Sequence, residues 1–206
     1  MLMSIVLVFG AYLIGSISFA VLVSRLMGLP NPHSYGSGNP GATNVLRTGS
    51  KKAAILTLLG DAVKGGFALW LASLIAISGF GLAGDIEMVL SAVALAAFLG
   101  HLFPLYFRFR GGKGVATAAG ILLVMDAAMG GIVVGIWILV ALITRYSSLA
   151  AIVAAMASPV VAVVVFGKSW FTLAVLCMAL LLVWRHRGNV SKLLAGTESQ
   201  IKLSSR

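Results

Sequence analysis

The stretch MSIVLVFGAYLIGSISFAVLVS, Met3–Ser24, decides the fold class, because not one of its side chains is charged. About 20 consecutive apolar residues are enough to cross the hydrocarbon core of a bilayer as a helix. No basic residues precede the stretch and no small-residue cleavage site comes before Arg25, which is unlike a removed signal peptide. We therefore predict an uncleaved transmembrane helix whose N-terminus lies outside.

Six more stretches of the same character follow, in keeping with a composition of 60% hydrophobic and 10% charged residues. We predict an all-α polytopic integral membrane protein with seven transmembrane helices, forming a single domain over residues 1–206. The run Met125–Gly131 is typical of a tight turn between the fourth and fifth helices, although one long kinked helix is the alternative. The six further predicted helices are Ala53–Ser78, Glu87–Phe107, Thr117–Met129, Gly130–Thr144, Leu149–Phe166 and Trp170–Trp184.

The positions of the charges support this topology. With the N-terminus outside, the outer turns keep only the cation Lys168, beside Asp85, Glu87 and Asp126. The excess of cations on the other side satisfies the positive-inside rule and places the C-terminus in the cytoplasm. The net charge of +10 then comes mainly from cations that flank the helices, where they set the orientation in the membrane or contact anionic lipid headgroups. It does not indicate nucleic-acid binding. The cations assigned to the cytoplasmic side are Arg25, Arg47, Lys51, Lys52, Arg108, Arg110, Lys113, Arg145, Arg185, Arg187, Lys192, Lys202 and Arg206.

The first polar segment between the predicted helices is Asn31–Lys52, and it is much longer than a turn requires. Its glycines allow the backbone to approach a ligand, and successive backbone N–H groups in such a loop can bind an anion. Arg47 has a planar guanidinium suited to phosphate. The alternative is a flexible connector without a ligand. The candidate binding residues here are Gly36, Ser37, Gly38, Asn39, Gly41, Thr43, Asn44 and Arg47.

Three further polar or basic segments are assigned to the same cytoplasmic face. In Arg108–Ala118 the glycines Gly111, Gly112 and Gly114 surround Lys113, and Thr117 lies at the predicted start of the next helix. A glycine loop with a lysine before a helix N-terminus favours phosphate, although the Walker A pattern is absent. Arg145–Ser148 reads as a charged turn. In Arg185–Lys192, His186 and Asn189 have the spacing that places two side chains on one face of a helix.

Other ionisable residues are few. Asp61 and Lys64 lie three residues apart inside the second predicted helix, where each can neutralise the other. His101, in the third predicted helix, lies where it could brace the glycine-rich loops. The scattered histidines and acids predict no metal site, and the single Cys177 predicts no disulfide. We therefore predict no metal and no cofactor.

Three of the segments resemble the cytoplasmic motifs of a bacterial membrane family, the acylphosphate-dependent glycerol-3-phosphate acyltransferases. The similar sequences are GSGNPGATNVLR at Gly36–Arg47, GGKGVATAAG at Gly111–Gly120 and RHRGN at Arg185–Asn189. GSIS at Gly15–Ser18 and GHLFPLYF at Gly100–Phe107 extend the similarity over nearly the full length. The chain departs from the family at Gly188, where an acidic residue is frequent, so this position supplies no ion pair.

The resemblance implies that a fatty acyl group passes from acyl phosphate to the 1-hydroxyl of sn-glycerol 3-phosphate, giving lysophosphatidic acid and phosphate. It implies a bacterial inner-membrane enzyme with a periplasmic N-terminus and a cytoplasmic active site, and a functional link to the soluble enzyme that makes acyl phosphate. Membrane lipids are its surroundings. By similarity, the loop around Lys113 holds glycerol 3-phosphate, Ser37 and Arg47 complete the phosphate sites, and His186 and Asn189 orient the hydroxyl or polarise the acyl carbonyl. The proton acceptor stays open between His186 and the donor phosphate.

Two other classes of function compete with this prediction. An anion transporter would need polar groups along a path between the helices, or broken helices near the midplane, whereas the polar segments here are assigned to one face. A membrane scaffold would bind anionic lipids or a soluble partner through its basic charge alone. The neutral polar side chains of the cytoplasmic segments would then have no function. Turnover without transport distinguishes the enzyme from both.

Overall fold

The computed structural model describes residues 1–78 and 85–201, and every regular element in these residues is helical. The prediction of an all-α chain is therefore confirmed, whereas the predicted cytoplasmic residues Lys202 and Arg206 lie outside the described residues. The chain divides into two compact units, residues 1–125 and residues 126–206. The single domain over residues 1–206 stays a prediction.

The helices of the first unit are α1 (Leu2–Gly15), α2 (Phe19–Leu26), the short α3 (Ala42–Val45), α4 (Lys51–Ile77), α5 (Ile86–Leu102) and α6 (Val115–Met125). The second unit contains α7 (Ala127–Thr144), α8 (Ser147–Phe166), α9 (Trp170–Arg185) and α10 (Arg187–Leu194). Two short 3₁₀ turns, Leu46–Thr48 and Leu105–Phe107, follow α3 and α5.

The first predicted span is two helices rather than one, because α1 and α2 meet at a bend of 43°. Ser16 donates its hydroxyl proton to the Tyr12 carbonyl at 2.8 Å, and Ser18 caps α2 by accepting from the Val21 amide at 3.5 Å. The break leaves the Ile17 carbonyl outside the helical hydrogen bonding, and Lys64 Nζ of α4 donates to it at 2.5 Å. A charged residue of one helix thus stabilises the bend in another.

Small residues bring the helices of the first unit close together. α1 packs on α5, where Gly15 lies against the backbone of Ala97 and Gly100 lies against that of Tyr12. α4 packs on α6 in the same way, with Gly120 facing the Ala62 carbonyl. In a bilayer, where lipid tails compete for apolar contacts, such close backbone approach is a principal source of helix association.

In the second unit, α7 packs on α8 and α8 on α9. The side chain of Asp126 caps α7 by accepting from the Met129 amide at 2.7 Å, and Ser169 caps α9 through the Thr172 amide at 3.2 Å. α9 and α10 meet at a bend of 54°, which is centred on His186.

Four of the described helical segments are long and apolar enough to cross a membrane, and up to six qualify if each bent pair counts as one span. α6 is apolar but only 11 residues long. The prediction of two helices around Asp126 is confirmed, but the turn is narrower than Met125–Gly131, because the Asp126 cap starts α7 at Ala127 instead of Gly130. The third predicted helix was likewise too long, since α5 ends at Leu102 ahead of Pro104.

Candidate active site

Asn44 organises the long loop between α2 and α4. Its Oδ1 accepts hydrogen bonds from the Ser37 amide at 3.0 Å and from the Ser37 hydroxyl at 3.2 Å. Its Nδ2 donates to the carbonyls of Pro32 at 2.9 Å and Tyr35 at 3.2 Å. The side chain is 2% exposed, so these bonds are made in a largely dry environment. Asn44 therefore fixes the loop from within, and its amide is occupied in doing so.

Above Asn44, the loop exposes groups that suit an anion. Gly36 and Ser37 are exposed, and Gly36 has φ +58, which only glycine adopts readily. A Cβ at Gly36 would lie 2.3 Å from Asn44 Oδ1 and 3.0 Å from the guanidinium nitrogen Nη1 of Arg47. Gly36, Ser37, Asn44 and Arg47 are thus brought together, as the sequence predicted. Their roles toward a substrate stay predictions.

The remaining candidates of this loop surround the start of α3. Gly41 is the residue before α3, and the Asn39 carbonyl accepts from its amide at 2.9 Å. Thr43 is exposed on the first turn of the helix. Val45, which is fully buried, packs with Ala20, Val23, Ala53 and Ala54 of α2 and α4, so the loop is anchored by an apolar contact. This anchoring is unlike a flexible connector.

Tyr35 lies in the same loop. Desolvation by burial raises the pKa of its hydroxyl above the ordinary value, and a hydrogen bond with the Ser24 side chain opposes this by a smaller amount. The phenol therefore keeps its proton at neutral pH and adds no negative charge to a loop suited to anions.

The second glycine loop, residues 108–114, packs tightly on the C-terminal end of α5. The Gly112 amide donates to the His101 carbonyl at 3.1 Å, and Gly111 is so close that a Cβ there would lie 2.2 Å from the same oxygen. Gly114 has φ +88, and a Cβ there would lie 2.3 Å from the Phe98 ring. All three glycines are buried. The prediction that His101 braces a glycine loop is confirmed for this loop.

Lys113 and Thr117 occupy different environments. Lys113 is half-buried between the buried glycines. Thr117 is fully buried in α6, which begins two residues earlier than predicted, and its methyl group lies against Gly65 of α4. The methyl group of Thr117 therefore belongs to the contact between α4 and α6, and the role of Thr117 toward a substrate stays a prediction.

A charged cluster lies beneath the second glycine loop. Lys64 Nζ is 2.8 Å from Asp61 Oδ1 and 2.9 Å from His101 Nδ1, and all three residues are buried. An ammonium group only donates hydrogen bonds, so His101 Nδ1 accepts and the proton of the neutral ring is on Nε2. That nitrogen faces Gly112, where a Cβ would lie 2.2 Å from it. The predicted pairing of Asp61 with Lys64 is confirmed.

Lys64 and His101 of the cluster also line a small, narrow cleft. Besides Lys64 and His101, its walls are the α1–α2 bend and the glycine loop. The wall residues are Gly15, Ser16, Ile17, Ser18, Pro104, Gly111 and Gly112. The GSIS and GHLFPLYF segments thus meet the GGKG segment around one buried cation.

His186 is the central candidate of the second unit. It is 3% exposed and lies at the α9–α10 bend, where its Nδ1 is 2.8 Å from the Leu182 carbonyl. A carbonyl only accepts, so the proton is on Nδ1 and the lone pair of the neutral ring is on Nε2. The backbone N–H of Asn189 donates to the backbone carbonyl of His186 at 2.8 Å, so the two residues are one helical turn apart, as predicted.

Glu198 is a contact of Asn189 that the sequence did not reveal. Its Oε1 accepts from Asn189 Nδ2 and from the Ser148 hydroxyl, both at 2.7 Å. Nothing in the sequence places Glu198, which follows the last helix, beside a residue of the RHRGN segment. The only signal was its isolation as an acidic residue in a basic tail.

Comparison with known proteins gives a direct match. Residues 5–196 match the family Glycerol-3-phosphate acyltransferase. The chain belongs to this family. The predicted resemblance is therefore confirmed at the level of the family. No group of three or more metal-ligating side chains occurs in residues 1–78 and 85–201.

Individual relatives match over nearly the whole chain. A glycerol-3-phosphate acyltransferase of Cupriavidus necator is 62% identical over 192 residues, which cover 93% of each chain. One of Ralstonia pickettii is 57% identical and covers 96% of this chain and 94% of its own. The crystal structure of PlsY (YgiH), an integral membrane glycerol 3-phosphate acyltransferase in its glycerol 3-phosphate form, has a TM-score of 0.86 at 35% identity, covering 97% of this chain and 96% of its own. Its lysophosphatidic acid form has a TM-score of 0.84. Together with the apolar helices, these matches make the chain an integral membrane protein.

Proposed function

We propose that this protein transfers a fatty acyl group from acyl phosphate to the 1-hydroxyl of sn-glycerol 3-phosphate, releasing lysophosphatidic acid and inorganic phosphate. The observation that carries the proposal is membership of the glycerol-3-phosphate acyltransferase family over residues 5–196. The solved relative in glycerol 3-phosphate and lysophosphatidic acid forms supports the acceptor and the product. Acyl phosphate as the donor rests on the similarity of the three motifs.

Both loops of the first unit have the chemistry to bind phosphate. The first offers the exposed Ser37 beside Arg47, on a backbone that Asn44 holds in place. The second offers Lys113 among glycines whose backbone is fixed against α5. We assign glycerol 3-phosphate to the Lys113 loop, and the Ser37 and Arg47 groups to the remaining phosphate contacts. Preorganised donors of this kind stabilise charge without reorganising during the reaction.

The hydrogen bonds of the second unit bear on the two roles open to His186 and Asn189. With Nδ1 donating to Leu182, His186 presents an acceptor at Nε2. With one Nδ2 hydrogen donated to Glu198, the Asn189 side chain still has a second N–H donor and the acceptor Oδ1. An attacking hydroxyl is a donor, whereas the acyl carbonyl needs donors. We therefore assign His186 to orienting the hydroxyl of glycerol 3-phosphate, and Asn189 either to the same hydroxyl or to the acyl carbonyl.

The reaction then needs no covalent enzyme intermediate. The 1-hydroxyl oxygen forms a bond to the acyl carbon, the bond from that carbon to the phosphate oxygen breaks, and phosphate leaves. The hydroxyl proton goes either to His186 Nε2 or to the departing phosphate. Positioning the two substrates accounts for most of the rate in such a mechanism.

We also propose seven membrane crossings, with the N-terminus periplasmic, the C-terminus cytoplasmic and the active site on the cytoplasmic face of the bacterial inner membrane. The positions of the cations support this orientation, and α6 is then a short crossing that the bilayer accommodates by local thinning. A cytoplasmic site suits a donor supplied by the soluble enzyme that makes acyl phosphate.

Donor specificity is tested first with the purified protein in detergent, radiolabelled glycerol 3-phosphate and one donor at a time. We expect lysophosphatidic acid from palmitoyl phosphate, with or without a chelator. Product only from acyl-CoA or acyl carrier protein would refute the donor while keeping the acyltransferase. No product from any donor, with folded protein, would refute the function.

The phosphate sites are tested with Lys113→Ala and Arg47→Ala. Each change removes a cation from a proposed phosphate contact, so we expect KM for a phosphorylated substrate to rise by at least about tenfold, with a lower kcat. Lys52→Ala, which removes an exposed cation near the start of α4, is the matched control and should leave both constants unchanged. If the two loop variants match the control, the phosphate assignment is wrong.

A further inference from the structure

Residues 105–110, which join α5 to the second glycine loop, expose apolar and basic side chains together. Leu105, Tyr106 and Phe109 are between 46% and 56% exposed. Arg108 and Arg110 are exposed as well. Large apolar side chains gathered on a surface mark a contact with a membrane or a partner. We call these six residues the aromatic–basic turn.

The backbone of this turn is both strained and ordered. Arg108 and Phe109 have φ +52 and +60, positive values that residues other than glycine rarely adopt. The amides of Phe107 and Phe109 both donate to the Pro104 carbonyl, at 3.2 and 2.9 Å, and the Arg110 amide donates to the Phe107 carbonyl at 3.0 Å. The exposure of Phe109 therefore belongs to a closed, hydrogen-bonded turn and not to a loose loop. Strain that is kept in this way is typical of a functional segment.

The neighbouring helices place the turn at the edge of the membrane. The apolar segment Ile86–Phe107, which is α5 with its 3₁₀ turn, is long and apolar enough to cross a bilayer, and it ends within the aromatic–basic turn. The chain enters the next apolar helix, α6, at Val115. A connection this short stays close to the bilayer surface, where aromatic side chains are favoured at the level of the headgroups.

The charge of the turn favours an anionic ligand. The sequence has no acidic residue from Met88 to Met125, so no carboxylate close in sequence neutralises Arg108 and Arg110. A guanidinium binds phosphate through paired hydrogen bonds, and cations at a bilayer surface attract anionic lipids. A soluble acidic protein would suit the two arginines alone. A lipid suits the whole turn, because it offers an anionic headgroup and apolar chains together.

We propose that the aromatic–basic turn binds an anionic phospholipid. Tyr106 and Phe109 contact the boundary between the headgroups and the acyl chains. Arg108 and Arg110 bind the lipid phosphate. This site is additional to the phosphate contacts proposed for the substrates, and it does not depend on acyl transfer, because its ligand is a lipid of the surrounding membrane.

The first experiment measures lipid binding to the purified full-length protein in detergent by native mass spectrometry. The probe is phosphatidylglycerol, and zwitterionic phosphatidylcholine is the reference. We expect tighter binding of phosphatidylglycerol, and the double variant R108Q/R110Q should weaken it about tenfold. The matched control K51Q/K52Q removes two exposed cations from the start of α4 and should bind like the wild type.

Three results of this experiment would overturn the proposal. Equal losses in the two double variants would mean that only net charge matters. Equal binding of the two lipids would mean that the turn does not select an anionic headgroup. Displacement of phosphatidylglycerol by added glycerol 3-phosphate would assign the two arginines to the substrate site. Thermal midpoints of the variants show that folded proteins are being compared.

The second experiment measures the depth of the turn in phosphatidylglycerol vesicles. Cys177 is the single cysteine of the chain, so Phe109→Cys in a Cys177→Ser background carries one fluorescent label. Brominated lipid should quench this label strongly and aqueous iodide weakly. The same label at Ser34→Cys, an exposed position of the first loop, should show the opposite preference. Quenching of the Phe109→Cys label mainly by iodide would place the turn in water and refute the proposal.

Discussion

The two glycine-rich loops of the first unit look alike in sequence but use their glycines differently. In the loop between α2 and α4, Gly36 is exposed, Gly38 is half-buried, and both have positive φ. In the loop between α5 and α6, Gly111 and Gly112 are buried and have ordinary φ, but they lie too close to α5 for any side chain. Gly38 of the first loop is needed for its conformation alone, whereas Gly111 and Gly112 of the second are needed for space; Gly36 and Gly114 combine both requirements.

The two loops also differ in what supports them. The first is held from within by the hydrogen bonds of the neutral Asn44 side chain, besides the apolar contact of Val45 with α2 and α4. The second lies on His101, which contacts the buried ion pair of Lys64 and Asp61. A loop that contributes to binding through its backbone can therefore be made rigid either from within or from the helices below. Substitutions in and beneath the two loops should therefore differ in their effect on stability.

The largest effect is expected from Lys64→Met, which removes the cation beneath the second loop. Asp61 would lose its closest cation and keep only His101 Nδ1 at 3.6 Å, and the Ile17 carbonyl would lose its donor, so we expect a loss of about 3–5 kcal/mol of stability. Thermal unfolding in detergent measures this loss as a lower midpoint.

The matched control is the double variant Asp61→Asn with Lys64→Met, which removes both charges together. It should recover part of the lost stability, because no buried charge stays unpaired. If Lys64→Met unfolds at the wild-type midpoint, the cluster does not support the loop.

Gly111→Ala should have the next largest effect. Its Cβ would lie 2.2 Å from the His101 carbonyl and 2.4 Å from that of Leu102, and neither backbone atom can move without displacing α5. We expect a loss of about 2–3 kcal/mol, measured as a fall in the thermal midpoint, and reduced acyl transfer.

Gly10→Ala in α1 is the control for this substitution, because a Cβ there meets nothing within 4 Å. That variant should unfold at or slightly above the wild-type temperature. Equal stabilities for Gly111→Ala and Gly10→Ala would contradict the close packing of the loop.

Sequence reasoning predicted the helices well and their breaks poorly. Charge-free runs of about 20 residues identify helices almost independently of context, because the bilayer imposes their length. The bend at Ser16–Ser18 involves instead a partner far along the chain, Lys64, which donates to the Ile17 carbonyl. The start of α7 was missed because Asp126 acts as a cap, and capping shifts a boundary by a few residues without changing the apolar pattern.

In the candidate site, too, contacts between residues close in sequence could be predicted, whereas contacts between distant residues could not. Gly36, Ser37 and Arg47 are close in sequence, so their association could be predicted, as could the pair Asp61 and Lys64. The contact between Asn189 and Glu198 depends on where an irregular tail returns, and no periodicity encodes that. Likewise, Asn44 and Thr117 looked like ligand-binding residues because polar side chains in a loop or at a helix start suggest binding. Only the structure reveals that both are buried and make contacts within the protein, and their roles toward a substrate stay predictions.

Gly38→Ala should have the smallest effect and is the sharpest test of the difference between the loops. A Cβ there would meet only the His33 carbonyl at an ordinary 3.6 Å, so its cost comes from φ +65 alone, about 1 kcal/mol. Asparagine tolerates this conformation better than alanine, so Gly38→Asn should recover part of the loss in thermal midpoint, whereas Gly111→Asn should be at least as damaging as Gly111→Ala. If asparagine is as harmful as alanine at Gly38, space rather than conformation limits that position, and both loops would then depend on close packing.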